Sequence, residues 1–329
     1  TLKRQFEAEA RFIRALTYFN IVRLWGDAPI VLKVVSVEES LSIGRSPVAE
    51  VYEAIEADLL YAASNLPNSY TAQDFGRATS GAAKALLGKV YLTQKKYSEA
   101  VTILNDVVGQ YSLLNDISDV FDTNNKNNNE VIFSIRFNKE ILGQGHGLWF
   151  AVSDISISPF TTKLVNAYSG SDVRKSLIEF QSAGNLLVPA KFFDTESAFR
   201  NFGNDYILLR HADVVLMLAE ALNEQSYQAS GNAFDYLNDI RERANLLTLT
   251  STDLPNQASF RDAVLNERFL EFPFEGHRWF DLIRTNTAEA EINSGVGISI
   301  QDFQLLYPVP QTEVEKINNV SIFYQNEGY

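Results

Sequence analysis

Residues 267–284 bring together, within a short stretch, several side chains that could do chemistry. These eighteen residues contain four acids, one histidine and three arginines among five aromatic rings. The donors that could form a carboxylate-rich metal site are Glu271, Glu275, His277 and Asp281. The arginines that could pair with them instead are Arg268, Arg278 and Arg284. Buried charges are tolerated when they are paired, so we favour ion pairing and predict a rigid structural helix docked into a core.

Other catalytic arrangements are not indicated elsewhere in the sequence. His146 and His211 are the only further histidines, and neither has a second histidine at ligand spacing. The absence of cysteine excludes thiolate zinc sites and cysteine nucleophiles. No glycine-rich phosphate loop follows a strand. The 41 acids leave a pair of glycosidase carboxylates possible, but nothing points to such a pair. We therefore predict no catalytic residue, no metal and no cofactor.

Composition narrows the class of protein. The chain has 329 residues, 46% of them hydrophobic, which is enough for a well-developed core. Its net charge of −13 disfavours a nucleic-acid partner, because phosphate binding depends on lysine and arginine. No apolar run is long enough to cross a membrane. The helical pattern starts at the first residues, so we expect that a leader or further N-terminal sequence has been removed.

Apolar periodicity predicts a mainly α-helical scaffold. A long amphipathic helix is expected over residues 2–25. The next helix opens at Ser46, as N-cap before a proline, and ends near residue 67. Helix pairs resembling tetratricopeptide units follow over the ranges 78–94 with 97–108 and 206–225 with 233–245. A small residue stands where the first pair crosses.

A loop-rich insertion separates the two helix pairs. We divide a single domain into a helical scaffold (1–109), this insertion (110–204) and a second scaffold with a C-terminal extended segment (205–329). Within the insertion, residues 124–129 are an asparagine-rich loop and 131–135 a strand. A hairpin is expected over 177–188. Beyond the aromatic stretch, residues 304–311 are extended and 312–317 helical.

Aromatic side chains in loops are the candidate ligand contacts. Trp149 stands in a glycine-rich loop, where its flat face could stack against a sugar ring. The alternative, that Trp149 and Phe150 anchor the loop to the body, stays open. Weaker candidates for the ligand face are Asp154, Asn166, Tyr168, Tyr70 and Phe75.

Four stretches together resemble the SusD/RagB family of nutrient-binding outer-membrane lipoproteins. They are EARFIRALTYF at 9–19 with LWGDAP at 24–29, LRHADVVLMLAEALN at 209–223, NERFLEFPFEGHRWFDL at 266–282 and YPVPQ at 307–311. Two positions depart from the family pattern, since His211 and Pro273 stand where tyrosine and alanine are more usual. Family members usually also carry an N-terminal part with the lipidated cysteine, and we expect this part to have been removed from the sequence.

The resemblance implies a helical, tetratricopeptide-like fold and a surface protein, lipid-anchored in the outer membrane. It implies capture of a glycan for a SusC-like TonB-dependent transporter, without catalysis. Peptide capture of the RagB type and a helical-repeat protein adaptor are the alternatives. The shared motifs are structural and transfer no ligand residue. The motif residues with an expected structural role are Arg11, Trp25, Glu267, Arg268, Glu271, Glu275, Gly276, His277, Arg278, Trp279 and Asp281.

Overall fold

The computed structural model describes residues 2–146, 161–178, 180–181, 187–194, 196–197 and 201–329. The α-helices in these ranges are α1 (Leu2–Trp25), α2 (Val37–Ser40), α3 (Val48–Asn65), α4 (Ser80–Thr93), α5 (Tyr97–Val108), α6 (Thr162–Ala167), α7 (Lys175–Ile178), α8 (His211–Gln225), α9 (Asn232–Arg243), α10 (Gln257–Glu271), α11 (Arg278–Arg284), α12 (Ala288–Val296) and α13 (Gln311–Ile317). The strands are β1 (Val131–Ile135), β2 (Phe180–Gln181), β3 (Leu187–Val188) and β4 (Tyr206–Arg210). None of the helices in the described ranges has the length and apolar content of a membrane span.

Two compact units make up the chain: Thr1–Pro67 with Leu282–Tyr329, and Asn68–Asp281. In the first, α1 packs on α3 through the stripe expected from the sequence. Arg45 ties the turn after α1 to the C-terminal segment. Its buried guanidinium donates to the backbone oxygens of Asp27 and Tyr324 and to the side chain of Asn326.

The predicted N-cap of α3 was wrong. Pro47 occupies the cap position, and the backbone of Ser46 instead exchanges hydrogen bonds of 2.9 and 3.1 Å with Ala28. The free amide of Val48 donates to the carboxylate of Asp27 at 2.9 Å. An acceptor from the preceding turn therefore replaces the local serine cap.

The second unit contains both helix pairs. Helices α4 and α5 cross where a Cβ on Gly88 would lie 2.3 Å from Cδ2 of Leu104, so only glycine permits this approach. Helices α8, α9 and α10 share a hydrophobic core that includes Leu216, Leu237 and Phe260. The prediction of helix pairs is confirmed, with one change. Residues 206–210 form β4, which pairs antiparallel with the predicted strand β1.

The insertion is less regular than expected. A hairpin is present, because β2 pairs antiparallel with β3. Leu177 and Ile178, however, end the short helix α7 and lie outside the hairpin. Both side chains are buried, so their apolar character reflects packing against the core and not strand pairing.

The aromatic stretch forms two helices, not the one expected. Helix α10 ends at Glu271, and Pro273 then lacks the amide that a continuing helix needs. Phe274 and Gly276 take left-handed conformations, with φ of 66° and 77°, before α11 begins. The segment predicted to be extended, residues 304–311, overlaps a 3-10 turn, Asp302–Leu305, at its start and α13 at its last residue.

Candidate functional site

Three acids of the aromatic stretch, Glu267, Glu271 and Glu275, lie in a buried ion-pair cluster around α10. Arg210 binds three carboxylates: Glu130 at 2.8 Å, Glu271 at 2.7 Å and Glu275 at 2.7 Å. Among the described residues, five cations and five carboxylates join this cluster. They are Arg174, Lys191, Arg210, Arg241 and Arg243 with Glu130, Asp172, Glu267, Glu271 and Glu275. The matching charges explain how so many ions tolerate burial.

The arginines named from the sequence are not the partners of Glu271. Its carboxylate contacts Arg174, Arg210 and Arg243, which come from other elements of the unit. Arg278 lies over the ring of Phe269, 4.6 Å from its centroid. Burial alone would raise the pKa of Glu271, but the three surrounding arginines outweigh burial and hold the pKa below its usual value.

His277 belongs to a second buried group beside this cluster. Lys89 Nζ lies 3.2 Å from His277 Nδ1 and 2.7 Å from Asp213, which also accepts from Arg268 at 2.8 Å. Arg268 donates in turn to Asp281 at 2.9 Å. Burial, reinforced by Lys89, lowers the pKa of His277 to about 3, so the ring is neutral and can accept from the lysine. These contacts hold the surrounding helices in position.

Other motif residues also make packing contacts. The indole of Trp25 donates to the carbonyl of Pro308 at 3.1 Å and meets the ring of Tyr307 edge-on. Arg11 pairs with Glu7 and lies over the ring of Tyr61 at 4.0 Å. Trp279 is half-buried.

A groove of about 260 Å³ opens elsewhere on the second unit. Its walls come from the loop before α4, residues 110 and 111 shortly after α5, the asparagine-rich loop and strand β1. The lining residues are Asn68, Ser69, Tyr70, Phe75, Gly76, Arg77, Thr79, Gln110, Tyr111, Asn127, Asn128, Asn129, Val131, Ile132, Phe133 and Ser134. We call it the Tyr70–Phe75 groove.

Phe75 is the exposed aromatic of this groove, with 44% of its surface accessible. Its backbone carbonyl accepts from Arg136 at 3.2 Å. Gly76 follows at φ 97°, and a Cβ there would lie 2.5 Å from Cδ of Arg136. The arginine therefore packs directly beneath the turn and fixes the backbone that presents Phe75.

Polar groups surround this aromatic edge. The hydroxyl of Tyr111 lies 3.3 Å from that of Thr79, and burial raises the pKa of Tyr111, which keeps the phenol neutral. The side-chain amides of Asn68, Asn127 and Asn129 make no hydrogen bond to any other described residue. Apolar ring faces beside free amide donors and acceptors can hold a sugar, whose C–H face stacks while its hydroxyls bond.

The structure brings together two of the ligand candidates, Tyr70 and Phe75. Asn166 is exposed on α6 and does not line the groove. The prediction that Tyr168 lies on the ligand face needs correction. This residue is only 6% exposed, and its hydroxyl donates to the carbonyl of Leu270 at 2.8 Å. A buried ring offers no free face to a ligand. Trp149, Phe150 and Asp154 lie outside the described residues.

Sequence reasoning missed Arg77, Tyr111 and the asparagines of the groove as site residues. Residues 124–129 were identified as a loop by their composition, and a strand was predicted directly after them. The signal available in the sequence was that this asparagine-rich loop directly precedes the predicted strand β1. Tyr111 carried no signal, since it follows the end of a helix by only a few residues.

Comparison with known proteins identifies the family. A family model described as "SusD family" matches residues 162–329, just over half of the chain. The chain belongs to the SusD family. A second model, "Starch-binding associating with outer membrane", matches residues 1–92. The resemblance deduced from the four sequence motifs is thereby confirmed.

Curated relatives of this SusD-family chain are longer than it is. SusD-like protein P25 of Formosa agariphila is 31% identical, and the alignment covers 84% of this chain but 63% of the relative. SusD-like protein P2 of the same organism is 30% identical over 98% of this chain and 74% of its own length.

Solved structures of family members share the architecture. A laminarin-binding SusD-like protein aligns with a TM-score of 0.80 and 28% identity, over 99% of this chain and 79% of its own. A SusD superfamily protein from Parabacteroides distasonis aligns with a TM-score of 0.84 and 27% identity, over 100% of this chain and 79% of its own. The predicted fold class, mainly helical with tetratricopeptide-like pairs, is confirmed.

Proposed function

We propose that this SusD-family protein captures a glycan at the outer-membrane surface and passes it to a SusC-like TonB-dependent transporter without cleaving it. Family membership and the laminarin-binding relative support glycan capture. The matched model's association with the outer membrane supports the location. The observation that carries the proposal is the Tyr70–Phe75 groove, where an exposed ring stands beside side-chain amides that bond to none of the residues that the structure describes.

Phe75 is the stacking platform in this proposal. Its turn is fixed by Arg136, so little conformational freedom is lost when a sugar ring covers it. The amides of Asn127 and Asn129 then bond the hydroxyls at the edge of the sugar. Pairs of aromatic rings gain about 0.5–1.5 kcal/mol beyond burial, and a similar gain for the sugar means that loss of the ring weakens binding about two- to twelvefold.

Affinity electrophoresis tests this role. Wild type, Phe75→Ala and Phe6→Ala are run through native gels containing laminarin or other polysaccharides. Phe6 is a matched control, because it is 49% exposed and lies on α1, outside the groove. We expect Phe75→Ala to lose most of the retardation while Phe6→Ala keeps it. Equal retardation of Phe75→Ala and wild type, in a gel that slows both, would contradict the role of the groove.

The groove also supports binding without hydrolysis. Glycoside hydrolysis uses two carboxylates beside the bond to be cleaved, and the described lining residues include none. Incubation of the protein with a retained polysaccharide should release no reducing sugar, and release would indicate a glycosidase. If peptide mixtures displace the polysaccharide, the RagB-type alternative gains support.

The transporter and the anchor are tested in cells. The full-length protein should be recovered with a TonB-dependent transporter after mild detergent extraction, and metabolic labelling with a fatty acid should mark its N-terminal region. Recovery only with soluble intracellular proteins would instead favour the helical-repeat adaptor.

A further inference from the structure

Two walls of the Tyr70–Phe75 groove come from segments that are far apart in the sequence. Phe75 lies in the loop before α4, whereas Asn127 and Asn129 belong to the asparagine-rich loop before β1. A sugar that stacks on the ring and bonds to the amides needs both at a fixed separation, because any movement between them must be frozen when it binds. The groups that support each wall therefore matter for binding.

The asparagine-rich loop is held on both sides of Asn127. The ammonium of Lys126 donates at 2.6 Å to the carbonyl of Phe137, a residue just beyond the far end of β1, so the loop folds back along the strand. The side chain of Asn128 donates to the carbonyl of Val120 at 3.2 Å. Asn127 itself takes a left-handed conformation, with φ of 54°. Its amide is thus presented from a backbone that is fixed at either neighbour.

The opposite wall is held by Arg136. Its guanidinium donates to the carbonyl of Phe75 at 3.2 Å, and its side chain packs against the turn at Gly76. Arg136 and Phe137 directly follow the last residue of β1. The supports of both walls therefore meet at the same end of one strand.

The carboxylate of Asp205 joins these two supports. One of its oxygens accepts from Lys126 at 2.7 Å and from the amide of Phe137 at 3.0 Å. The other oxygen lies 3.8 Å from Nε of Arg136 and accepts no hydrogen bond from any residue that the structure describes. The side chain of Asp205 is only 8% exposed, so solvent screens its charge little.

From this geometry we infer that Asp205 is a positioning residue for the groove. Through Arg136 it holds Phe75. Through Lys126 it holds Asn127, so that the ring and the amide keep the separation that one sugar needs. Asp205 is not among the residues that line the groove, and it acts through these neighbours. The inference rests on the proposed glycan capture at the same groove.

Asp205→Asn tests the inference, because this change removes the charge and nearly preserves the shape. Asp194→Asn is the matched control. Asp194 is a buried carboxylate that pairs with Lys139 at 3.0 Å, and it is not among the lining residues of the groove. Affinity electrophoresis with the polysaccharide that slows wild type most gives a dissociation constant for each protein. Urea unfolding measures the stability of each.

We expect Asp205→Asn to bind the polysaccharide about tenfold more weakly than wild type, because ordering one mobile side chain costs about two- to twelvefold in affinity. Asp194→Asn should bind like wild type, even where it unfolds at a lower urea concentration. The loss caused by Asp205→Asn should be smaller in a chain that already carries Phe75→Ala, because a missing ring cannot be misplaced.

Hydrogen exchange of the free protein separates the two walls. Asp205→Asn should exchange faster than wild type in peptides covering residues 72–77 and 124–129, because both segments lose a fixed support. Lys126→Met should exchange faster over residues 124–129 alone. Asp194→Asn should leave the exchange of both segments unchanged.

Three results would overturn the inference. These are wild-type affinity in Asp205→Asn, equal loss of affinity in both aspartate variants, and loss of affinity without faster exchange in either wall. If Phe75→Ala weakens binding and Asp205→Asn does not, glycan capture stands while the positioning role falls. If no polysaccharide in the panel slows wild type, glycan capture at this groove falls, and the role of Asp205 in binding falls with it.

Discussion

Replacement of Arg210 by methionine should destabilise the protein strongly. The side chain is 1% exposed and contacts three carboxylates that are almost completely buried. Removing one partner of a buried ion pair costs about 3–5 kcal/mol, because the remaining charge is left without compensation. Here the variant leaves five carboxylates facing four cations. A domain is stable by about 5–15 kcal/mol, so the loss is a large fraction of the total.

Urea unfolding followed by circular dichroism measures the effect. Lys316→Met is the matched control, since Lys316 contacts Glu313 at 2.6 Å but the side chains are 64% and 48% exposed. Exposed pairs contribute about 0–1 kcal/mol, so the control should unfold close to wild type. If both variants lose the same stability, burial is not what makes the Arg210 cluster important.

A second variant separates unpaired charge from lost packing. Adding Glu275→Gln to Arg210→Met removes one carboxylate while nearly preserving its shape, so that four carboxylates face four cations. The double variant should recover part of the lost stability. If the double variant loses as much stability as the two single variants together, packing rather than charge dominates at this position.

Two further perturbations have definite signs. Gly88→Ala should lower the free energy of unfolding by about 1–3 kcal/mol, because the new Cβ would overlap Leu104, and this cost exceeds the better helix propensity of alanine. Adding Leu104→Val to the same chain should restore part of the lost stability in thermal melts. Stability should also fall as pH drops from about 6.5 towards 4, because burial lowers the pKa of His146 and of His211 to about 4, below the unfolded value of about 6.5. The same melts from pH 7.5 to 4.5 measure this slope, which His211→Gln should reduce; an unchanged slope would remove His211 from the explanation.

Helices whose start and end signals lie in neighbouring residues could be predicted to within their observed bounds. The structure places α1 over Leu2–Trp25 and α5 over Tyr97–Val108, at the predicted bounds. Each shows an apolar stripe with a clear end, a Trp-Gly turn after α1 and Gly109 after α5. Such signals depend on neighbours along the chain, so no tertiary information is needed.

Features that depend on distant partners could not be predicted. The strand β4 reads as the beginning of a helix, and its strand character comes from pairing with β1, more than seventy residues earlier. The acids of the aromatic stretch were expected to be paired, but the choice of Arg174, Arg210 and Arg243 depends on how the second unit packs.

The Tyr70–Phe75 groove was only partly visible in the sequence for the same reason. Tyr70 and Phe75 were weak candidates, because a loop aromatic has no periodicity to interpret. Their importance follows from the asparagines and Tyr111, which reach the same place from other parts of the chain. Composition identifies a segment as a loop, but it does not show which distant segment packs against that loop.

Hydrogen exchange with mass spectrometry tests the location of the ligand most directly. The protein is compared alone and with the polysaccharide that slows it most in the gel panel. Peptides covering residues 68–79 and 127–134 should gain protection on binding, because both form the walls of the groove. Protection confined to other segments, with these two unchanged, would contradict the assignment of the Tyr70–Phe75 groove as the ligand site.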